Sequence, residues 1–149
     1  MTEEQVAERL FPDFEPWAGP GVKPEQVARE SWLGPVAVDA FDKALQSRSC
    51  YWGRPNSGLT TSAIVVQLPT DVRANFVKEL RKSVYEESSS QGITMFTHTI
   101  DDGVWLQTNW YGFVGDVWVY SLNYGPTVAI ETAFENLRAA KPEWAAQTR

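Results

Sequence analysis

One cysteine, one histidine and two methionines in 149 residues leave little from which to build a reactive centre. Cys50 has no second cysteine to pair with, so an internal disulfide and a cysteine-based zinc site are both excluded. It follows a helical stretch and precedes Tyr51-Trp52, a setting that predicts a buried, inert thiol. Basic charge is short as well: thirteen Lys and Arg against nineteen Asp and Glu leave −6. Five acids (Glu3, Glu4, Glu8, Asp13, Glu15) and only two bases (Arg9, Lys23) precede residue 25, so half of that excess sits at the N-terminal end. With no basic stripe to neutralise phosphates, nucleic acid is not an expected partner. No apolar run approaches the ~20 residues that cross a bilayer, so no membrane span is expected. The opening residues TEEQVAERLF are acidic and amphipathic, the reverse of a basic and then apolar export signal. That leaves a cytoplasmic protein or one whose export signal has been removed. Gly-x-Ser-x-Gly elbows, phosphate-binding loops and dinucleotide fingerprints are missing too, and no cofactor is expected.

What the chain does have is aromatic surface, 13% of residues within a 43% hydrophobic composition, enough for one domain with a core of its own. Thr2 with Gln5 fits a capping box before a short helix. The next stretch, PDFEPWAGPGVKP, holds four prolines and two glycines around Phe14 and Trp17. It reads as an extended arm, because proline removes backbone donors and blocks regular structure. Residues 1–24 are thus taken as a helix and Pro-rich arm, and 25–149 as one domain. After a helical turn around Glu25–Glu30, Pro35 opens a helix whose inner side is Ala37, Phe41, Ala44 and Leu45. SRSCYW, GRPNSG and LTTSAIVVQL form a hairpin with a long turn. Thr70 is expected to cap a helix with the stripe Val72, Phe76, Val77, Leu80 and Val84, followed by EESSSQG as a loop. Gly125-Pro126-Thr127 starts a last helix with Ile130, Ala133, Phe134 and Leu137 inward. The order β-β-α-β-β-β-α predicts an α+β fold. Its antiparallel sheet has about five strands, with helices on one face.

Residues 93–124 carry three of the seven tryptophans and three of the five tyrosines in three runs of period two. Asp102-Gly103 is a two-residue hairpin signal that would set His98 against Gln107 and Phe96 against Asn109. A four-residue loop from Gly112 to Gly115 would set Asn109 against Trp118 and Gln107 against Tyr120. Opposed residues share a face, and the two hairpins agree. One face is aliphatic, with Ile93, Met95, Val104, Leu106, Val117 and Val119 beside Trp110. The other carries Phe96, His98, Trp105, Gln107, Asn109, Trp118, Tyr120 and Leu122. Broad rings with a few amide and imidazole groups are typical of ligand pockets. Phe96, His98, Trp105, Gln107, Asn109, Trp118 and Tyr120 are therefore the candidate ligand-binding residues, for a small ligand, a peptide or a partner protein. The competing reading makes this face a second core covered by the arm, with Trp17 and Trp32 packing on it, and the protein a purely structural interaction protein. An arm from a second copy would make a homo-oligomer. No catalytic residue is assigned. His98, the only histidine, is the candidate acid/base if the protein is a small-substrate enzyme, but a general base needs an orienting partner. One histidine with scattered carboxylates makes no metal site.

Cys50 and Trp52 on an early strand, the proline-terminated strand AIVVQLP, an amphipathic helix and an aromatic meander resemble small actinobacterial cell-envelope domains. These include lipoproteins and kinase sensor domains, some with a Mog1/PsbP-like layout. The resemblance covers roughly residues 36–140. It implies a non-enzymatic, extracytoplasmic domain. Many such domains pair their cysteines, whereas Cys50 stands alone here, and no lipobox is visible.

Overall fold

Seven strands assemble one antiparallel sheet, the longer ones marked by apolar alternation. The computed structural model describes residues 2–9, 12–16, 24–57, 60–101, 103, 106–122 and 126–140. Along them run α1 (Glu3–Arg9), β1 (Glu15–Pro16), α2 (Pro24–Ser31), α3 (Pro35–Asp42), β2 (Gln46–Gly53), β3 (Thr60–Gln67) and α4 (Thr70–Leu80). There follow β4 (Glu86–Ser90), β5 (Ile93–Asp101), β6 (Leu106–Val114), β7 (Val117–Leu122) and α5 (Pro126–Ala140). The strand order is β1-β2-β3-β7-β6-β5-β4. The α+β class with an antiparallel sheet is thus as expected, but the described strands number seven rather than about five. The extra two are β1, only two residues long, and β4, which the sequence presents as the loop EESSS. No apolar residue marks β4 as a strand. Its Glu and Ser residues suit an exposed sheet edge, where charge discourages pairing with other chains. Gln91 and Gly92, both at positive φ (51° and 75°), turn it into β5.

Helices cover both faces of the sheet, not one. The aromatic face lies under α2, α3 and α4, in a core of Phe96, Tyr111, Phe113, Trp118, Tyr120 and Leu122 with Ala28, Ala37, Ala40, Phe76, Val77 and Leu80. The aliphatic face lies under α5, where Ile93, Met95, Val117 and Val119 meet Ile130, Ala133 and Phe134. These inward residues of α5 are the expected ones. The N-terminal segment sits on this second face. Phe14 and Val6 pack with Trp52 and Ala63, so the arm's Phe14 does not lie over the aromatic face. Trp17 falls outside the described residues. Trp32 does reach the aromatic face, stacked on Tyr51 at 5.8 Å.

Both meander turns differ from expectation. Asp101 pairs with Leu106, so the connection after β5 spans four residues, and His98 opposes Asn109 rather than Gln107. Asp101 Oδ1 accepts from the Gly103 N–H at 2.9 Å, so the aspartate braces its own turn. Val114 pairs with Val117, so Gly115-Asp116 is a two-residue turn and Asn109 opposes Leu122 rather than Trp118. The first register moves by two residues and the second by four. Even shifts leave every side chain on its face, which is why the face assignment survives. Gly112 explains the second difference. It is a strand residue where α5 comes close: a Cβ there would lie 2.5 Å from Ile130 Cγ2. The glycine serves a close approach, not a turn.

Local signals fare unevenly. The capping box is present, with Thr2 N–H donating to Gln5 Oε1 at 3.0 Å and Gln5 N–H donating to Thr2 Oγ1 at 3.2 Å. Pro35 begins α3 as expected. Pro69, not Thr70, is the N-cap of α4, and Thr70 is already helical. Leu45 and Val84, expected inward, are exposed because α3 and α4 end before them. Cys50 is exposed, not buried. Exposed and half-buried residues alternate along β2 until Trp52, since the short β1 reaches only Trp52 and Gly53.

Candidate functional site

The seven candidate binding residues divide by depth. Phe96, Trp118 and Tyr120 are wholly buried, and Asn109 nearly so. Their rings interlock edge to face with α4: Phe76 lies 4.9 Å from Trp118 and 5.4 Å from Phe113, which in turn meets Phe96 at 5.9 Å. Tyr120 donates its hydroxyl to Asn109 Oδ1 at 2.8 Å, a buried bond that uses both polar groups. His98 and Gln107 are half-buried toward the β5–β6 end, and Trp105 falls outside the described residues. The structure therefore brings Phe96, Asn109, Trp118 and Tyr120 into one core and leaves His98 at its margin. The His98 ring lies 5.4 Å from Tyr85. No hydrogen bond to a carboxylate orients its imidazole among the described residues.

The same face opens elsewhere. A cavity of about 160 Å³ lies where α3 begins and α4 ends. Phe76, Leu80, Ala37 and Tyr111 are its buried members, Tyr85 and Glu79 are half-buried, and Gly34, Pro35, Val36 and Ser83 are exposed. Local sequence explains the gap. Gly34 caps α3 without a side chain, and Pro35 follows it at the first helical position. On the other side α4 finishes at Leu80, and a turn held by Ser83 Oγ donating to the Leu80 carbonyl at 2.6 Å leads to Tyr85. A helix start bearing only small residues thus faces a helix end across the broad ring of Tyr111.

Tyr85 and Tyr111 supply the polar groups. Their rings are 5.1 Å apart and their hydroxyl oxygens 3.5 Å apart, the outer limit of hydrogen bonding. Burial pushes the Tyr111 phenol well above its ordinary value. Tyr85 beside it adds to the rise, and a backbone hydrogen bond from Gly34 partly opposes it. Burial raises Tyr85 too, while its contact with Tyr111 lowers it. Both phenols stay neutral across physiological pH. Glu79 is held below the usual carboxylate range by Lys82, whose Nζ lies 2.8 Å from its Oε1. It remains ionised and already paired.

A second, polar pocket of about 230 Å³ continues along the α3–α4 seam. Asp39, Lys43, Asp71, Val72 and Asn75 line it, and it shares Val36 and Phe76 with the cavity. Asp39 is tied to Lys43 Nζ at 2.6 Å. Among the described residues no three His, Cys, Asp or Glu converge as a metal site, and no helix is long and apolar enough to cross a membrane.

The cavity opens on the aromatic face, and two residues that line it, Tyr111 and Tyr85, are not among the candidates the sequence offers. In the sequence Tyr111 stands just before the expected Gly112–Gly115 loop, although its parity with Asn109 puts it on the aromatic face. Tyr85, between a helix and the polar run EESSS, carried no periodic signal. Comparison with known protein families, with curated protein sequences and with solved structures finds no match to this chain.

Proposed function

We propose that this protein is a non-catalytic binding or sensing domain that takes a small apolar ligand between α3 and α4, against the aromatic face of its sheet. The observation that carries this reading is the cavity of about 160 Å³ lined by Ala37, Phe76, Leu80, Tyr85 and Tyr111. An engineered apolar cavity of about 150 Å³ stays dry and binds benzene, so space of this size and lining suits one small ring. The fully buried rings, Phe96, Trp118 and Tyr120, form the rigid floor behind the contact surface. Binding without chemistry agrees with His98, the only histidine, lacking an oriented carboxylate partner among the described residues. A sensing role also agrees with the layout that resembles cell-envelope sensor domains.

Side-chain methyl and aromatic NMR spectra recorded during titration with small apolar fragments test the proposal. Saturable shifts at Ala37, Leu80, Tyr85 and Tyr111, with no product formed from the fragment, are expected. A fragment panel that moves none of these resonances at millimolar concentration would remove the reading. Turnover abolished by His98→Ala would replace it with the enzyme alternative.

A further inference from the structure

We infer that the ligand of this cavity is a neutral six-membered ring carrying one hydrogen-bonding oxygen, of the phenol or cyclic ketone class, held by the paired hydroxyls of Tyr85 and Tyr111. The inference rests on the binding role proposed above and adds its chemistry.

Size comes first. The space of about 160 Å³ is open on the side where Gly34, Pro35, Val36 and Ser83 are exposed, so its buried part holds one ring and anything larger would extend into solvent. Charge comes second. The cavity is bordered by the first turn of α3, Gly34–Ala37, whose backbone carries the positive end of the helix dipole. A cation would sit against it. Glu79, ionised and paired to Lys82, borders the same space and would oppose an anion. Two rim features of opposite sign favour a molecule with no net charge, and the buried walls are hydrocarbon or aromatic.

Hydrogen bonding comes third. A phenol hydroxyl offers one donor and two acceptor sites. The contact between Tyr85 and Tyr111, at 3.5 Å, uses that capacity poorly, while the Tyr120 hydroxyl is already committed to Asn109 at 2.8 Å. Tyr111 also accepts from the Gly34 backbone, so what the pair keeps for a ligand is the Tyr111 hydroxyl hydrogen and the acceptor sites of Tyr85. A ligand oxygen seated beside both hydroxyls would accept from one and, in a phenol, donate to the other. Their raised pKa values keep both as O–H groups rather than phenolates, so the donor is present throughout the neutral range.

Isothermal titration with phenol, toluene, benzoate and benzylamine on the full chain tests this. Phenol should bind about three- to tenfold more tightly than toluene, the ratio expected of one net neutral hydrogen bond. Benzoate and benzylammonium should both bind more weakly than phenol. Tyr85→Phe, at a half-buried position that tolerates loss of one oxygen, should bring phenol down toward toluene and leave toluene unchanged. Tyr111→Phe provides the same readout from the buried partner. Equal affinity for phenol and toluene, or a preference that survives both substitutions, overturns the hydroxyl assignment and leaves a plain apolar pocket. Tighter binding of either charged ring overturns the argument from the rim. If neither neutral ring binds, the proposed function fails along with it.

Discussion

The two faces of this sheet are built from the same strands and packed differently. Under α5 the side chains are mostly small and branched, and at Gly112 the helix comes so close that an added Cβ would press on Ile130, Phe134 and Ile93 at 2.5, 3.1 and 3.3 Å. Under α3 and α4 the side chains are rings that meet edge to face or tilted, at 4.9–5.7 Å between centroids around Phe76, Tyr111, Phe113, Trp118 and Tyr120. Branched aliphatic groups interdigitate. Rigid rings have fewer ways to meet, and the space they leave collects where a helix begins with small residues. Both faces are buried, but the aliphatic one closes tightly at Gly112 while the aromatic one leaves a cavity beside α3 and α4.

Removing a ring from the looser face should have the largest effect. Phe76 contacts Tyr111, Phe113 and Trp118 and is almost wholly buried. Phe76→Ala should cost about 3–5 kcal/mol in urea unfolding, because its neighbours are rings that cannot collapse into the hole and it already borders a cavity. A cost below about 2 kcal/mol would mean that α4 settles inward, and the looseness of this face would then be an adjustable property.

Alkaline pH attacks the same face. Burial raises Tyr111 and Tyr120 well above the ordinary phenol value, and Tyr85 adds to both. A group whose folded pKa is raised contributes stability that is complete below the unfolded value, near pH 10, and is lost as pH climbs toward the folded value. Each such phenol removes about 1.4 kcal/mol per pH unit across that window. Absorbance at 295 nm and circular dichroism should therefore change together in one cooperative step above pH 10. Tyr120→Phe should shift that step upward. Ionisation of all tyrosines with the fold intact would show that the aromatic face is wetter than its burial indicates.

The close face should respond to one methyl. Gly112→Ala should cost about 1–3 kcal/mol, since the helix or the strand must move to admit it. The measurement is the denaturation midpoint at unchanged m-value.

Much of this contrast was legible beforehand. Period-two alternation separated Phe96, Asn109, Trp118 and Tyr120 from Met95, Val117 and Val119, and even register shifts could not undo it. The stripe of α5 was legible because one long helix buries one side. What stayed hidden were features that depend on partners distant in sequence. Gly112 is a strand glycine only because Ile130 packs on it, and EESSS becomes β4 only because β5 offers an edge. The cover of the aromatic face was unreadable for a related reason. The inner side of α3 was legible, but nothing local said which face of the sheet it covers, so the arm with Trp17 competed as a cover. The cavity lay a further step away. It exists where α3 starts beside the end of α4, and nothing local in Gly34 or Tyr85 announces that meeting.

The smallest effect should come from adding bulk where the molecule has room. Ala37 is buried on α3 and lines the cavity, and leucine is nearly as good a helix former as alanine. Ala37→Leu adds three carbons that can occupy empty space instead of displacing neighbours. The gain from burying them, about 0.8 kcal/mol per carbon, is offset in part by the rotamer freedom a buried leucine loses. Stability should stay within about 1 kcal/mol of the parent, in contrast to the single methyl at Gly112. The variant should also stop responding to small aromatic fragments, because its side chain takes their place. Both readouts are needed. Unchanged stability with binding intact would locate the ligand elsewhere, whereas a loss of more than about 2 kcal/mol would show that the room beside Ala37 is closed to an added side chain.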